Sequence, residues 1–407
     1  MLCALLALTA LAGGDPPPDT LHLDRGKTVT GIILRVDADE VLISEGSRVK
    51  SYKMSEVQSM EGPRVAYAEY VQRLREHFGQ ADASADDAVA LAEWCQEKGL
   101  LRDTEFLYLR ALCLDQDHEK AREALDHTRR GDGWSVKIGN GGRTTWDKLL
   151  ERRLEMNEAW ELSSFHFDVE AAGPLPDILA AMAEMEQVYA AYFELFQPTV
   201  GFHEVQAAIP AHIYPGRDGF PSQSNFLDAY FDRAARSLRS YFTEGLASRI
   251  QHETVHAVMY YTAREWDKKE PNLSGWLEEG VATYIDASLD GPPGSLTFEP
   301  GKLDEASFRD HRDAEKKDDM TRVLNYQASD FGASTGQVRR YAESYTLTHF
   351  LLHGDDGARA EAFSRFLALS YRGQGSMSHF KKALDLRKLD DLEEEWELYV
   401  EEHAPKD

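Results

Sequence analysis

The chain has 407 residues, of which 42% are hydrophobic, 10% aromatic and 29% charged, and it carries a formal net charge of −26 at pH 7. Such a length predicts two or three domains, and the aromatic content is that of a folded chain, not a disordered one. The charge excludes a nucleic-acid partner, which requires concentrated Lys and Arg; it fits a solvated acidic surface or, as a second reading, one that steers cationic substrates.

Residues 1–12, Met1-Leu2-Cys3-Ala4-Leu5-Leu6-Ala7-Leu8-Thr9-Ala10-Leu11-Ala12, form one short apolar run ending in small side chains. This is the shape of a secretory signal peptide cleaved near Ala12. The run is too short to span a bilayer and no later stretch approaches ~18 uninterrupted apolar residues, so no integral membrane span is expected. Cys3 lies at the start of the run, where a lipid-anchor cysteine would not sit. The expected location is secreted, periplasmic or in the cell envelope. Beyond the signal only Cys95 and Cys113 remain. They could form one bridge in an oxidising compartment or stay as two buried thiols.

Short strand-like runs come after a proline linker, at 20–23, 29–36, 41–44 and 49–54, with turn residues between them. They predict a small antiparallel barrel over residues 19–62, which resembles the SH3-like barrels attached to many bacterial envelope proteins. The period then becomes helical. Ala88, Leu91, Ala92 and Cys95 form one stripe, Phe106, Leu109, Ala111 and Cys113 mark the next helix, and a third begins at 121. Over residues 63–135 this resembles a tetratricopeptide-type segment. One and a half repeats cannot bury their own face, so the segment must lean on a neighbour. Both modules read as packing or docking elements, with a protein partner as the functional alternative. The glycines at 131, 133, 141 and 142 form a connection; they lack the pattern of a phosphate-binding loop.

Residues 150–407 mix strands (163–169, 206–214, 237–242) with helices (175–196, 243–264, 274–289, 338–353, 358–369), so the chain as a whole reads as an α+β, multidomain protein. Within the second of those helices lies His252-Glu253-Thr254-Val255-His256. Residues four apart share a helix face, so His252 and His256 can direct both imidazoles at one tetrahedral Zn²⁺. Glu253, rotated to the side, can reach a water on that metal instead of the metal itself. Val255, Ala257, Val258 and Met259 make the segment apolar enough for a buried helix.

Zinc needs a third protein ligand and leaves the fourth position open. Downstream is Trp276-Leu277-Glu278-Glu279-Gly280-Val281-Ala282, and local pattern does not choose between the two glutamates. With these stretches the chain resembles the gluzincins, zinc metallopeptidases whose first helix bears HExxH and whose second bears a glutamate ligand in a Trp-Leu-x-Glu-Gly-x-Ala setting. The resemblance implies that Glu279 is the ligand and Glu253 the general base. It also implies a tyrosine that stabilises the oxyanion, for which Tyr341 is the candidate and Tyr345 the reserve. Substrate in that family lies along an edge strand, here expected within 229–242. Small Ala282 and Thr283 would let the two helices approach closely. No acidic-asparagine motif of the aminopeptidases is present, which makes endopeptidase action the default. The implied function is hydrolysis of a peptide or protein substrate with one Zn²⁺ per chain. The alternative is an inactive peptidase-like binding or structural protein of the cell envelope. His203, His212, His311 and His349 are isolated and read as packed or surface residues, Arg339 and Arg340 as a solvated pair, and Asp355-Asp356 as a turn.

Overall fold

The structure is a computed structural model that describes residues 16–46, 48–138, 142–221, 228–242, 246–267, 273–332 and 335–406. The expected signal peptide lies outside the described residues. The protein is α+β.

Five antiparallel strands open the chain: β1 (Asp19–Leu23), β2 (Lys27–Val36), β3 (Glu40–Glu45), β4 (Arg48–Lys53) and β5 (Val57–Glu61), in the order β4-β3-β2-β1-β5. Alternation puts Leu21, Leu23, Val29, Ile33, Val41 and Ile43 on one face, where they form a core of their own. The fifth strand gives no separate sequence signal because Val57-Gln58-Ser59-Met60-Glu61 is mostly exposed. Asp19 ties the sheet to the first helix: its buried carboxylate accepts the main-chain N–H groups of Ile33 and Arg64, both at 3.0 Å.

The helices of this region are α1 (Pro63–Gly79), α2 (Ala85–Lys98), α3 (Thr104–Leu114) and α4 (Glu119–Ala124). Helix α2 starts at a capping box in which Ser84 and Asp87 satisfy each other's main-chain N–H groups. The stripe residues Ala88, Leu91, Ala92 and Cys95 are buried in the same continuous core as Phe167, Met182 and Trp276, so these helices share the core of the rest of the chain. Cys95 and Cys113 are free thiols. The glycine-rich passage, expected as a bare connection, holds a small antiparallel sheet of β6 (Thr128–Arg130), β7 (Gly133–Ile138) and β8 (Gly142–Thr145).

A short helix, α5 (Trp146–Arg152), leads to β9 (Trp160–Ser163), β10 (Phe167–Ala171), α6 (Leu175–Val200), β11 (Ile209–Tyr214), β12 (Ala229–Asp232) and β13 (Ser237–Tyr241). The strand expected over 163–169 is in fact two, because the chain turns at 164–166. There Glu186 of α6 accepts the Ser164 hydroxyl at 2.6 Å and the His166 main-chain N–H at 2.7 Å. The five strands form a mixed sheet in the order β12-β13-β11-β10-β9, with β10, β11 and β13 mutually parallel. Among the described residues strand β12 is therefore an edge, antiparallel to β13 alone.

Helices α7 (Leu246–Asp267) and α8 (Gly275–Ala287) come next, then the two-residue strands β14 (Leu289–Asp290) and β15 (Thr297–Phe298). The chain ends in α9 (Glu305–Arg312), α10 (Met320–Val323), α11 (Gln337–Gly357), α12 (Ala360–Tyr371), α13 (Met377–Ala383) and α14 (Asp390–His403). Helix α8 is buried almost all round, the signature of a central helix. Trp276 at its start is fully buried, stacked 6.2 Å from Phe366 and edge-on to Phe380 at 6.0 Å. Asp355 and Asp356 adopt left-handed backbone angles, φ 53° and 51°, as a turn requires. Among the described residues no helix is long and apolar enough to cross a membrane.

Candidate metal centre

Helix α7 carries His252, Glu253 and His256. Its apolar side, Val255, Ala257, Val258 and Met259, is at most 1% exposed. Gln251, also buried, hydrogen-bonds Glu184 of α6 at 3.2 Å. His252 and His256, one turn apart on the same face, are turned toward α8, their side chains 18% and 15% exposed. Glu279 projects from α8 to meet them. Its Oε2 lies 3.2 Å from His252 Nε2 and 3.4 Å from His256 Nε2, and the two Nε2 atoms are 3.2 Å apart. His252, His256 and Glu279 form the one group of three or more potential ligands found among the described residues.

These distances can be tested against a metal. Ligands at 2.0–2.1 Å from a tetrahedral zinc sit about 3.3 Å from one another. The three observed separations, 3.2, 3.2 and 3.4 Å, fit that spacing. Two nitrogens and one carboxylate oxygen are also the donor set of a catalytic zinc with one open position.

The electrostatics of the group follow from its pairing. Burial is the largest influence on His252 and disfavours its charge, yet the hydrogen bond with Glu279 and the charges of Glu279 and Glu253 together outweigh it and raise the imidazole pKa. His256, likewise opposed by burial, is pushed up to about 9 by the charges of Glu279 and Glu253. Glu279 is held well below the usual carboxylate range: burial would raise it, but His256 and His252 favour its ionised form.

Of the two neighbouring glutamates, left open by local pattern, the fold sets Glu279 beside the histidines. Glu278 points the other way, to an ion pair with Arg233 just beyond β12. Burial raises the Glu278 pKa, with Arg233 as the main opposing charge. The two tyrosines separate as clearly. Tyr341, in the second turn of α11, has its ring 6.3 Å from that of His252 and packs edge-on against Phe331 at 5.1 Å. Burial first, and then the carboxylates of Glu279 and Glu253, keep its phenol protonated far above the usual range. Tyr345 is engaged elsewhere, accepting the Asp304 main-chain N–H at 2.8 Å. The structure thus brings His252, His256, Glu279, Glu253 and Tyr341 to one place.

Other expectations resolve into structure. Arg339 pairs with Asp318, and Arg340 donates to the Asp330 carbonyl at 2.8 Å; neither is merely solvated. His311 bonds Thr346 and Glu397, His349 bonds Tyr399, and His212 bonds Glu170, all as packed residues.

Three features went unread in the sequence. Gly280 permits the close approach of α8 to α11: a Cβ there would lie 2.6 Å from the Ser344 carbonyl oxygen and 2.4 Å from Thr348 Oγ1. The sequence suggests Ala282 and Thr283 for a close approach of α8 to α7 and assigns no role to Gly280, although it stands beside Glu279. Arg233, the counter-ion of Glu278, has no signal. Nor has the main-chain N–H of Phe231, which donates to Glu253 Oε2 at 2.8 Å.

The profile of a family described as "Protein of unknown function (DUF1570)" matches residues 246–372. The match begins with α7, ends just past α12, and contains His252, Glu253, His256, Glu279 and Tyr341; it leaves out β12. No curated protein matches the chain.

Proposed function

We propose that this chain is an exported zinc-dependent peptidase of the gluzincin type, acting as an endopeptidase. The observation that carries the reading is the convergence of His252 and His256 from α7 with Glu279 from α8 at mutual distances of 3.2–3.4 Å. Zinc held by these three groups would polarise a substrate carbonyl and acidify a water. Glu253 supplies the base: it takes a proton from the attacking water and returns it to the leaving amine. Tyr341, kept protonated by its surroundings, donates a hydrogen bond to the oxyanion that develops on the carbonyl. The open edge of β12 offers main-chain groups along which an extended peptide can pair. Export is supported by the apolar run of residues 1–12, and the N-terminal sheet and helices would serve to position the enzyme or its substrate.

The test is a casein cleavage assay on the purified chain, with its zinc counted, with and without chelator, beside Glu253→Gln. One zinc per chain, chelator-sensitive cleavage, and a loss of about 10²–10⁴-fold in the variant without loss of metal are expected. Zinc without cleavage by the parent would overturn the enzymatic reading in favour of a binding module.

A further inference from the structure

Strand β12, beside the candidate metal centre, makes a contact that the chemistry above does not use. Among the described residues strand β12 pairs only with β13, and in an antiparallel pair alternate residues turn their N–H and C=O groups to the outer edge. Phe231 is one of these: its N–H points away from β13 and donates to the carboxylate of Glu253 at 2.8 Å. The hairpin is held in place by α7 and α8 together. The Phe231 ring packs 5.0 Å from that of Tyr260, the Tyr261 hydroxyl donates to the Arg236 carbonyl at 2.9 Å, and Arg233 pairs with Glu278. The amide is therefore fixed relative to the helix that carries the base.

A peptide that adds to β12 as a further strand needs the outward N–H of Phe231 as a donor for one of its carbonyls. Glu253 already occupies that donor, and an N–H makes one strong hydrogen bond. Resting on the peptidase reading, we propose that the Phe231 amide is a positioning group shared between base and substrate. In the empty protein it parks the Glu253 carboxylate against the edge strand. A peptide pairing with β12 takes the amide over and frees the carboxylate to accept a proton from the attacking water. The base is thus released only when a main chain lies along the strand.

Competition for one donor predicts a coupling that can be read without turnover. The probe is fluorescein-labelled oxidised insulin B chain, an extended peptide, titrated into the chelated full-length protein and monitored by anisotropy. Glu253→Ala removes the competitor and tightens peptide binding about tenfold, whereas Glu253→Gln, which still accepts a hydrogen bond, changes it less. Phe231→Pro deletes the donor at an outward edge position, where proline is tolerated; in that background Glu253→Ala shifts affinity by less than about twofold. Amide exchange needs no change at Phe231 and gives a second reading. The Phe231 amide is protected in the parent, exchanges at least about tenfold faster in Glu253→Ala, and regains protection when the peptide binds. Equal effects of Glu253→Ala in both backgrounds, or a Phe231 amide indifferent to Glu253, would overturn the shared-donor proposal while leaving the peptidase reading intact. Failure of every form to bind peptide would overturn both.

Discussion

The two sides of the candidate metal centre, a helical wall and a strand wall, are built from different kinds of information. The helical wall, α7, α8 and α11, contributes side chains: two imidazoles, carboxylates and a phenol, each placed by helical spacing and an apolar flank. The strand wall, β12, contributes a main-chain N–H and an open edge, held by Arg233 and by aromatic packing. Every residue but proline has an N–H, so the strand wall carries no residue signature. It also lies outside the span of the family match, which covers the helical wall alone. A metal-binding motif can thus be read while the surface that would present substrate to it stays unread.

The assignment within the helical wall is sharpened most by the tyrosines. Tyr341→Phe removes the donor beside Glu279 and should lower kcat about 10²–10³-fold with zinc content unchanged. Tyr345→Phe, whose hydroxyl serves Asp304 and Lys302, should leave kcat near the parent value. Equal losses in the two variants would dissolve the distinction between them.

A smaller effect is expected from pH. The carboxylates of Glu279 and Glu253 hold a proton on His256 up to about pH 9, although burial opposes that charge. Zinc requires the neutral ring, so binding must expel this proton whenever the pH is below that value. Zinc affinity should therefore rise about tenfold per pH unit between pH 6 and 8 and level off near 9, measured by titration against a competing chelator. A flat profile over that range would mean that the pairing does not hold this proton.

Smallest is the effect of crowding α8. Gly280→Ala places a methyl against the Ser344 carbonyl and Thr348. It should lower stability by about 1–3 kcal/mol in thermal unfolding and weaken zinc binding by displacing Glu279. An unchanged Tm would show that the interface between α8 and α11 can relax freely.

The same elements mark the limits of what is legible in the residues alone. The α7 and α8 helices, the His252/His256 pair and the α+β class can be read because period and residue type agree: the histidines stand one turn apart in a segment whose Val255, Ala257, Val258 and Met259 are buried. The strands 20–23, 29–36 and 41–44 are visible from alternation. The turn at 164–166 is hidden because it depends on Glu186, distant in sequence. The sheet formed by β6–β8 is hidden by its glycines, which read as a connection, and β5 by its exposure. Local pattern leaves Glu278 and Glu279 open and only the family resemblance points to Glu279; the Arg233 ion pair that turns Glu278 elsewhere spans 45 residues, and no local window contains it.

The most direct test counts zinc in the parent and three variants. One ion per chain is predicted in the parent, with retention in Glu278→Ala and loss in Glu279→Ala, and with His252→Ala behaving like the latter. A parent that binds no zinc, or a Glu279→Ala protein that holds it as tightly as the parent, would contradict the metal centre on which the rest depends.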